Sequence, residues 1–238
     1  MTPQQTLAFN ILPQPDDTSC GPTCLHAIYG YFGDSISLAQ VIREVPCLES
    51  GGTLAVFLAC HALARGYSAR IFTYNLHVFD PSWFRGGQPV DLADRLCRQA
   101  EVKTDRKLWT ATAGYLQFLR RGGSLHFEDL TLGLIRRFLK KNLPILTGLS
   151  STYLYHAMRE YGHDGISDDV RGEPAGHFVV LHGYDKVTRS VEVADPYGRN
   201  PVSGDNYYTV DIGRVLGAVL LGVLTHDANL LIIGPKRK

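Results

Sequence analysis

The stretch Gln14-Pro15-Asp16-Asp17-Thr18-Ser19-Cys20-Gly21-Pro22-Thr23-Cys24-Leu25 decides how this chain is read. A helix begins within it. Leu25, Ile28, Tyr29 and Phe32 recur at helical spacing, Pro22 falls in the first turn where proline is tolerated, and Gly33 marks the end. Cys20 therefore stands at a helix N-terminus. The positive end of the macrodipole and the unpaired N–H groups there favour thiolate. Gly21 leaves room for a ligand to approach the backbone. The Cys20 N–H is placed to serve an oxyanion, with Gln14 as a second donor if the lead-in folds back beside it.

A thiolate nucleophile needs a base, and the chain offers one further on. His177-Phe178-Val179-Val180-Leu181-His182 reads as a strand. Its two histidines are five residues apart, so they point to opposite faces. A turn at Gly183 to Lys186 leads into a second strand, Ser190 to Val193, followed by Asp195-Pro196. In such a hairpin Asp195 lies beside the start of the first strand, where His177 is, whereas His182 is at the turn. The geometry selects His177 as base and Asp195 as the group that holds its other ring nitrogen.

These motifs, in this order, resemble the papain-like peptidases that process bacteriocin leaders, and their stand-alone relatives. The likeness lies in Gln14…Cys20-Gly21-Pro22-Thr23-Cys24-Leu25 with Tyr31-Phe32-Gly33, in Gly52-Thr53-Leu54…Ala64-Arg65-Gly66-Tyr67, and in Gly176-His177-Phe178-Val179-Val180…Val193-Ala194-Asp195-Pro196. It covers roughly residues 10–75 and 130–200. The resemblance implies a papain-like α+β fold in which N-terminal helices carry the nucleophile and a C-terminal antiparallel sheet carries His and Asp. It implies Cys20 as nucleophile, His177 as base, Asp195 as orienter and Gln14 as oxyanion donor. Residues 76–129 have no counterpart in the family pattern and no transporter segment is present, so cleavage of a double-glycine leader is not implied.

The rest of the chain is consistent with this frame. Helices are read at 37–45, with Ser37 and Gln40 at capping-box spacing, and at 53–65, 91–101, 108–121 and 131–142. Strands are read at 69–74, 145–149, 206–210 and 229–233, with a short helix at 212–219. Helices come mainly first and strands second, the order of an α+β domain. Residues 1–238 are read as one domain, with 76–129 as a helical insertion that packs beside the cleft and 151–175 as a charged loop.

The 238 residues carry 24 Lys plus Arg against 23 Asp plus Glu, a net charge of +1, which argues against nucleic acid as the partner. No secretion signal is legible, and the longest apolar run, Gly217 to Leu224, is far short of the roughly 20 residues a bilayer span needs. Five scattered cysteines, Cys20, Cys24, Cys47, Cys60 and Cys97, make no disulfide framework and point to a reducing, cytoplasmic setting. No phosphate loop, dinucleotide fingerprint or His-Glu-x-x-His is present, and Cys20, Cys24 and His26 cannot converge on zinc from one helix, so neither cofactor nor metal is expected. Cys24, His26 and His61 are read as packing residues. The expected activity is a cysteine peptidase acting on a peptide or protein through a thioester. An acyl or peptidyl transferase would use the same thioester with an amine or thiol in place of water, and a non-catalytic peptide-binding module would use the same fold without turnover.

Overall fold

In the computed structural model, residues 4–49, 51–86, 90–162 and 164–236 are described. The chain opens with a short strand, β1 (Gln4–Thr6), and an extended lead-in, then forms α1 (Cys20–Tyr31), α2 (Leu38–Glu44) and α3 (Ala55–Ala64). The start and stop signals act as read. Ser37 Oγ accepts from the Gln40 N–H at the head of α2, and Gly33 (φ +79°) and Gly66 (φ +88°) take left-handed turns after α1 and α3. β2 (Tyr67–Thr73) follows. The stretch read as a helical insertion contains α4 (Leu92–Val102) and α5 (Arg106–Arg120), each capped by an aspartate, Asp91 and Asp105. It is not purely helical, for β3 (Ser124–His126) at its end joins the main sheet parallel to β2.

The second half supplies α6 (Leu132–Leu139), β4 (Ile145–Ser150), α7 (Ser151–Tyr155), β5 (Glu160–Tyr161), β6 (Ile166–Ser167), β7 (Gly176–Asp185), β8 (Ser190–Ala194), β9 (Tyr207–Asp211), α8 (Ile212–Leu221) and β10 (Asn229–Pro235). The segment 151–175, expected as a loop, instead holds α7 and the small β5–β6 hairpin. α7 forms because Ser150 Oγ accepts from the Tyr153 N–H, a local cap hidden in a stretch with little apolar periodicity.

Eight strands make the main sheet, in the order β3-β2-β10-β4-β7-β8-β9, with β1 also pairing with β7. Every pair is antiparallel except β2–β3. Alternation along the strands gives the sheet two apolar faces. Phe178, Val180, Leu146 and Leu231 meet Leu25, Ile28, Leu58 and Phe118 from α1, α3 and α5 on one face. Val179, Leu181, Leu149 and Leu230 meet Ile135, Phe138, Val215 and Val219 from α6 and α8 on the other. The insertion thus lies on the face that also carries Cys20: Leu96, Leu108 and Phe118 belong to the same buried cluster. No helix among the described residues is long and apolar enough to cross a membrane.

Candidate active site

α1 begins at Cys20 itself, with Ser19 as its N-cap residue. The turn before it is held locally: Asp16 accepts from the Thr18 N–H and hydroxyl, and Thr23 Oγ1 donates to the Ser19 carbonyl. One turn on, the Cys24 thiol donates to the Phe178 carbonyl at 3.2 Å and is fully buried. That contact ties α1 to β7, and burial pushes the Cys24 thiol up, with Cys20 and Asp195 adding. Gly21 makes the close approach possible. A Cβ there would come within 2.7 Å of Thr53 Cγ2 and 3.2 Å of Phe178 Cδ2. Cys20 is 8% exposed, so only an edge of the residue is open.

β7 carries both histidines, and their surroundings differ as alternation requires. His177 Nε2 lies 2.8 Å from Asp195 Oδ1, and the Cys20 side chain is a further hydrogen-bond neighbour of the ring. A carboxylate only accepts, so Nε2 carries a proton and Nδ1 is left for Cys20. Burial works against the His177 cation, but the charge and hydrogen bond of Asp195 outweigh it, with help from Cys20, and its basicity is held well above that of ordinary imidazole. His182, by contrast, stacks on Phe9 with its Nδ1 3.3 Å from the Leu7 carbonyl, and burial makes it less basic.

Asp195 is wholly buried and accepts four hydrogen bonds. Besides His177, the Tyr197 N–H reaches Oδ1 at 2.9 Å, while the Tyr155 and Tyr208 hydroxyls reach Oδ2 at 2.7 and 2.8 Å. Burial alone would push the Asp195 carboxyl up, yet the charge and hydrogen bond of His177, with the hydrogen bonds from Tyr155 and the Tyr197 N–H, hold it below the usual range. Burial and the Asp195 charge push both tyrosine hydroxyls up, which keeps them protonated as donors. Asn206 fixes the backbone: its Nδ2 donates to the Asp195 carbonyl at 2.6 Å and its carbonyl accepts from the Asp195 N–H at 2.8 Å.

The lead-in folds back to this strand. The Gln14 N–H donates to the Pro196 carbonyl at 2.9 Å, which sets Gln14 beside the Asp195-Pro196 corner. Its Nε2 donates to the Asp16 carbonyl at 2.8 Å and keeps a second N–H, while its buried Oε1 has no partner. Sequence reasoning passed over Tyr155 and Tyr208. Tyr208 had a faint signal, an aromatic on the strand after Asp195; Tyr155 had none, since its helix was not legible. Among the described residues no group of three His, Cys, Asp or Glu side chains is arranged to hold a metal ion.

The α+β architecture is that of the papain-like cysteine peptidases. The model of the Peptidase_C39 like family matches residues 113–215, the segment that holds His177 and Asp195. The match bears out the resemblance read from the motifs. Among solved structures, a putative C39-like peptidase from Bacillus anthracis superposes with a TM-score of 0.54 at 13% identity, over 99% of this chain and 99% of that one. Xylellain, a cysteine protease from Xylella fastidiosa, gives 0.47 at 14% identity, over 100% of this chain and 87% of that one. The peptidase domain of Streptococcus ComA gives 0.43 at 14%, over 95% and 98%. The comparison with curated proteins returned no match.

Proposed function

We propose that the chain hydrolyses a peptide or amide bond with Cys20 as nucleophile, His177 as acid–base, Asp195 as its orienter and Gln14 as an oxyanion donor. The observation that carries this reading is the 2.8 Å bond from His177 Nε2 to a carboxylate that four donors immobilise, with Cys20 on the other side of the ring.

The reaction follows from those positions. The Cys20 thiolate adds to the carbonyl carbon, and the oxygen takes up negative charge facing the Cys20 N–H and the spare N–H of Gln14. His177 Nδ1–H gives its proton to the leaving nitrogen as the C–N bond breaks, and a thioester remains. Water then adds to the thioester carbon. His177 takes a proton from it, the C–S bond breaks, and a carboxylic acid leaves. Asp195 keeps the ring turned so that Nδ1 faces the sulfur in both steps, and it stabilises the imidazolium. A peptide or protein substrate in a reducing, cytoplasmic compartment suits five cysteines that are all free thiols.

The test is incubation of wild-type chain and Cys20→Ala with a peptide library, followed by mass spectrometry. New pairs of fragments, one ending in a free carboxylate, are expected with the wild type only. Fragments formed equally by Cys20→Ala, or acyl groups passed to added amines instead of water, would overturn the hydrolytic reading.

A further inference from the structure

One buried acid next to this site plays no part in the reaction just described. Asp227 lies in the turn between α8 and β10 and is 7% exposed. It sits on the sheet face that carries Cys20. Gly21 approaches Phe178, Phe178 approaches Gly148, and Gly148 approaches Asp227 in an unbroken line of contacts. The carboxylate presses on Gly176, the residue before His177: a Cβ at 176 would meet Asp227 Oδ2, and a Cβ at 148 would lie 2.8 Å from Asp227 Cβ. Glycines at both positions are what let an acid pack against these two strands.

No ion pair neutralises it. Thr225 Oγ1 donates to Oδ2 at 3.0 Å, and no Lys, Arg or His nitrogen among the described residues is within ion-pair distance. Lys107 of α5, whose charge acts on Asp227, donates its Nζ to the Thr225 carbonyl at 3.2 Å. A second carboxylate, Glu160 of β5, is also within electrostatic range of His177. A buried, uncompensated carboxylate is costly to a fold unless something pairs with it. Here the missing partner is a cation, and the acid packs on Gly176, the residue before His177.

We propose that Asp227 is a specificity-determining residue that favours substrates carrying a cationic group, a Lys or Arg side chain or a free α-amine, close to the bond under attack. The proposal rests on the peptidase reading but is tested without turnover. Its pH dependence follows from the surroundings. Burial pushes the Asp227 carboxyl up to about 7; the Thr225 hydroxyl and the charges of Lys107 on α5 and His177 on β7 pull the other way. Tyr115 of α5 and His226, the adjacent residue, complete the titratable neighbours. A carboxyl of this kind is neutral below that pH, so cation selection strengthens as pH rises from 6 to 8.

The experiment is protection of Cys20 from alkylation, read by peptide mapping, using short peptide amides that differ at one residue: Lys, Arg, norleucine or Glu. Each is made with a free and with an acetylated N-terminus, which separates side-chain from α-amine recognition. In wild type at pH 8, half-protection by a cationic peptide should need at least about tenfold less peptide than by its neutral counterpart, the effect of one modest charge contact. In Asp227→Asn the ratio should fall below about threefold, and it should lose its pH dependence. A ratio that Asp227→Asn leaves unchanged, or no cation preference in wild type, overturns the proposal. Asp227→Ser is the second variant if the first does not fold. Failure of Cys20→Ala to abolish cleavage would instead strike the peptidase reading, and the protection assay does not depend on it.

Discussion

The four partners of Asp195 have one property in common: every one donates. Sequence alone suggests that Asp195→Asn is mild, since an amide oxygen still holds the His177 ring. The surroundings change that expectation. An amide offers one accepting oxygen and turns an NH2 toward a donor, either His177 or the two tyrosine hydroxyls. Asp195→Asn should therefore cost about as much as the loss of a triad carboxylate elsewhere, up to about 10⁴ in kcat. It should also move the alkaline limb of kcat/KM toward the ordinary imidazole range, because Asp195 is what holds the His177 proton. Steady-state rates from pH 5 to 10 read both effects. The same proton affects the fold. His177 is more basic folded than unfolded, so its contribution to stability is complete below about pH 6.5 and fades as pH rises through the raised folded value. Urea midpoints across that range should fall in wild type and stay flatter in Asp195→Asn. His177→Ala should cost at least about three orders of magnitude in rate and His182→Ala far less, since His182 packs on Phe9 away from the sulfur. A brief pulse of iodoacetamide at pH 6 should mark Cys20 before Cys47 and Cys97, although the latter two are the exposed cysteines. At that pH an ordinary thiol, of pKa about 8.5, is almost wholly protonated. Peptide mapping reads the result, and labelling led by Cys47 or Cys97 would contradict the proposed role of Cys20 as nucleophile.

Two contacts set the distance between the helix that holds the sulfur and the strand that holds the ring. Gly21 lets α1 close on Phe178, and the Cys24 thiol reaches the Phe178 carbonyl. Gly21→Ala inserts a methyl where Thr53 Cγ2, Leu58 Cδ1 and Phe178 Cδ2 already crowd, so α1 must back away. Overpacking of this kind costs typically about 1–3 kcal/mol. The urea midpoint should drop accordingly, and kcat should fall by more than KM rises, because the displacement separates Cys20 from His177 rather than closing the cleft. An unchanged midpoint would mean that the close approach is not needed. Cys24 was read as a packing residue, and as the anchor of α1 it is one.

For the whole molecule, α5 contributes a buried face to one of the two cores. A Cβ at Gly114 would press on Val56 and Phe57 of α3, and Phe118 is fully buried. Replacing residues 90–121 by a short linker should therefore leave the chain without a cooperative thermal transition, rather than a folded peptidase with altered substrate choice; circular dichroism distinguishes these. What the sequence made legible follows from range. The helix over α1, the His177 strand and the turn to Asp195 are encoded by nearby residues, so periodicity and turn chemistry find them. Tyr155 and Tyr208 reach Asp195 from other elements, and neither stands out in its own neighbourhood. The β5–β6 hairpin was missed because two-residue strands carry no alternation to read.

The double pairing of β7 also bears on how the enzyme moves. β4 pairs with residues 176–181 and β1 with 183–185 along one edge, while β8 pairs within 180–185 along the other, so 180–185 is the stretch bonded on both sides. A strand bonded along both sides opens only when the whole sheet does, so its amides should be among the last to exchange with deuterium. His177 lies outside that doubly bonded stretch, where β4 is its paired strand. The ring at the looser end of the strand is therefore held less by the sheet than by its side-chain partners, Asp195 and the tyrosines that fix it, so loosening Tyr155 or Tyr208 should free the imidazole without unzipping β7.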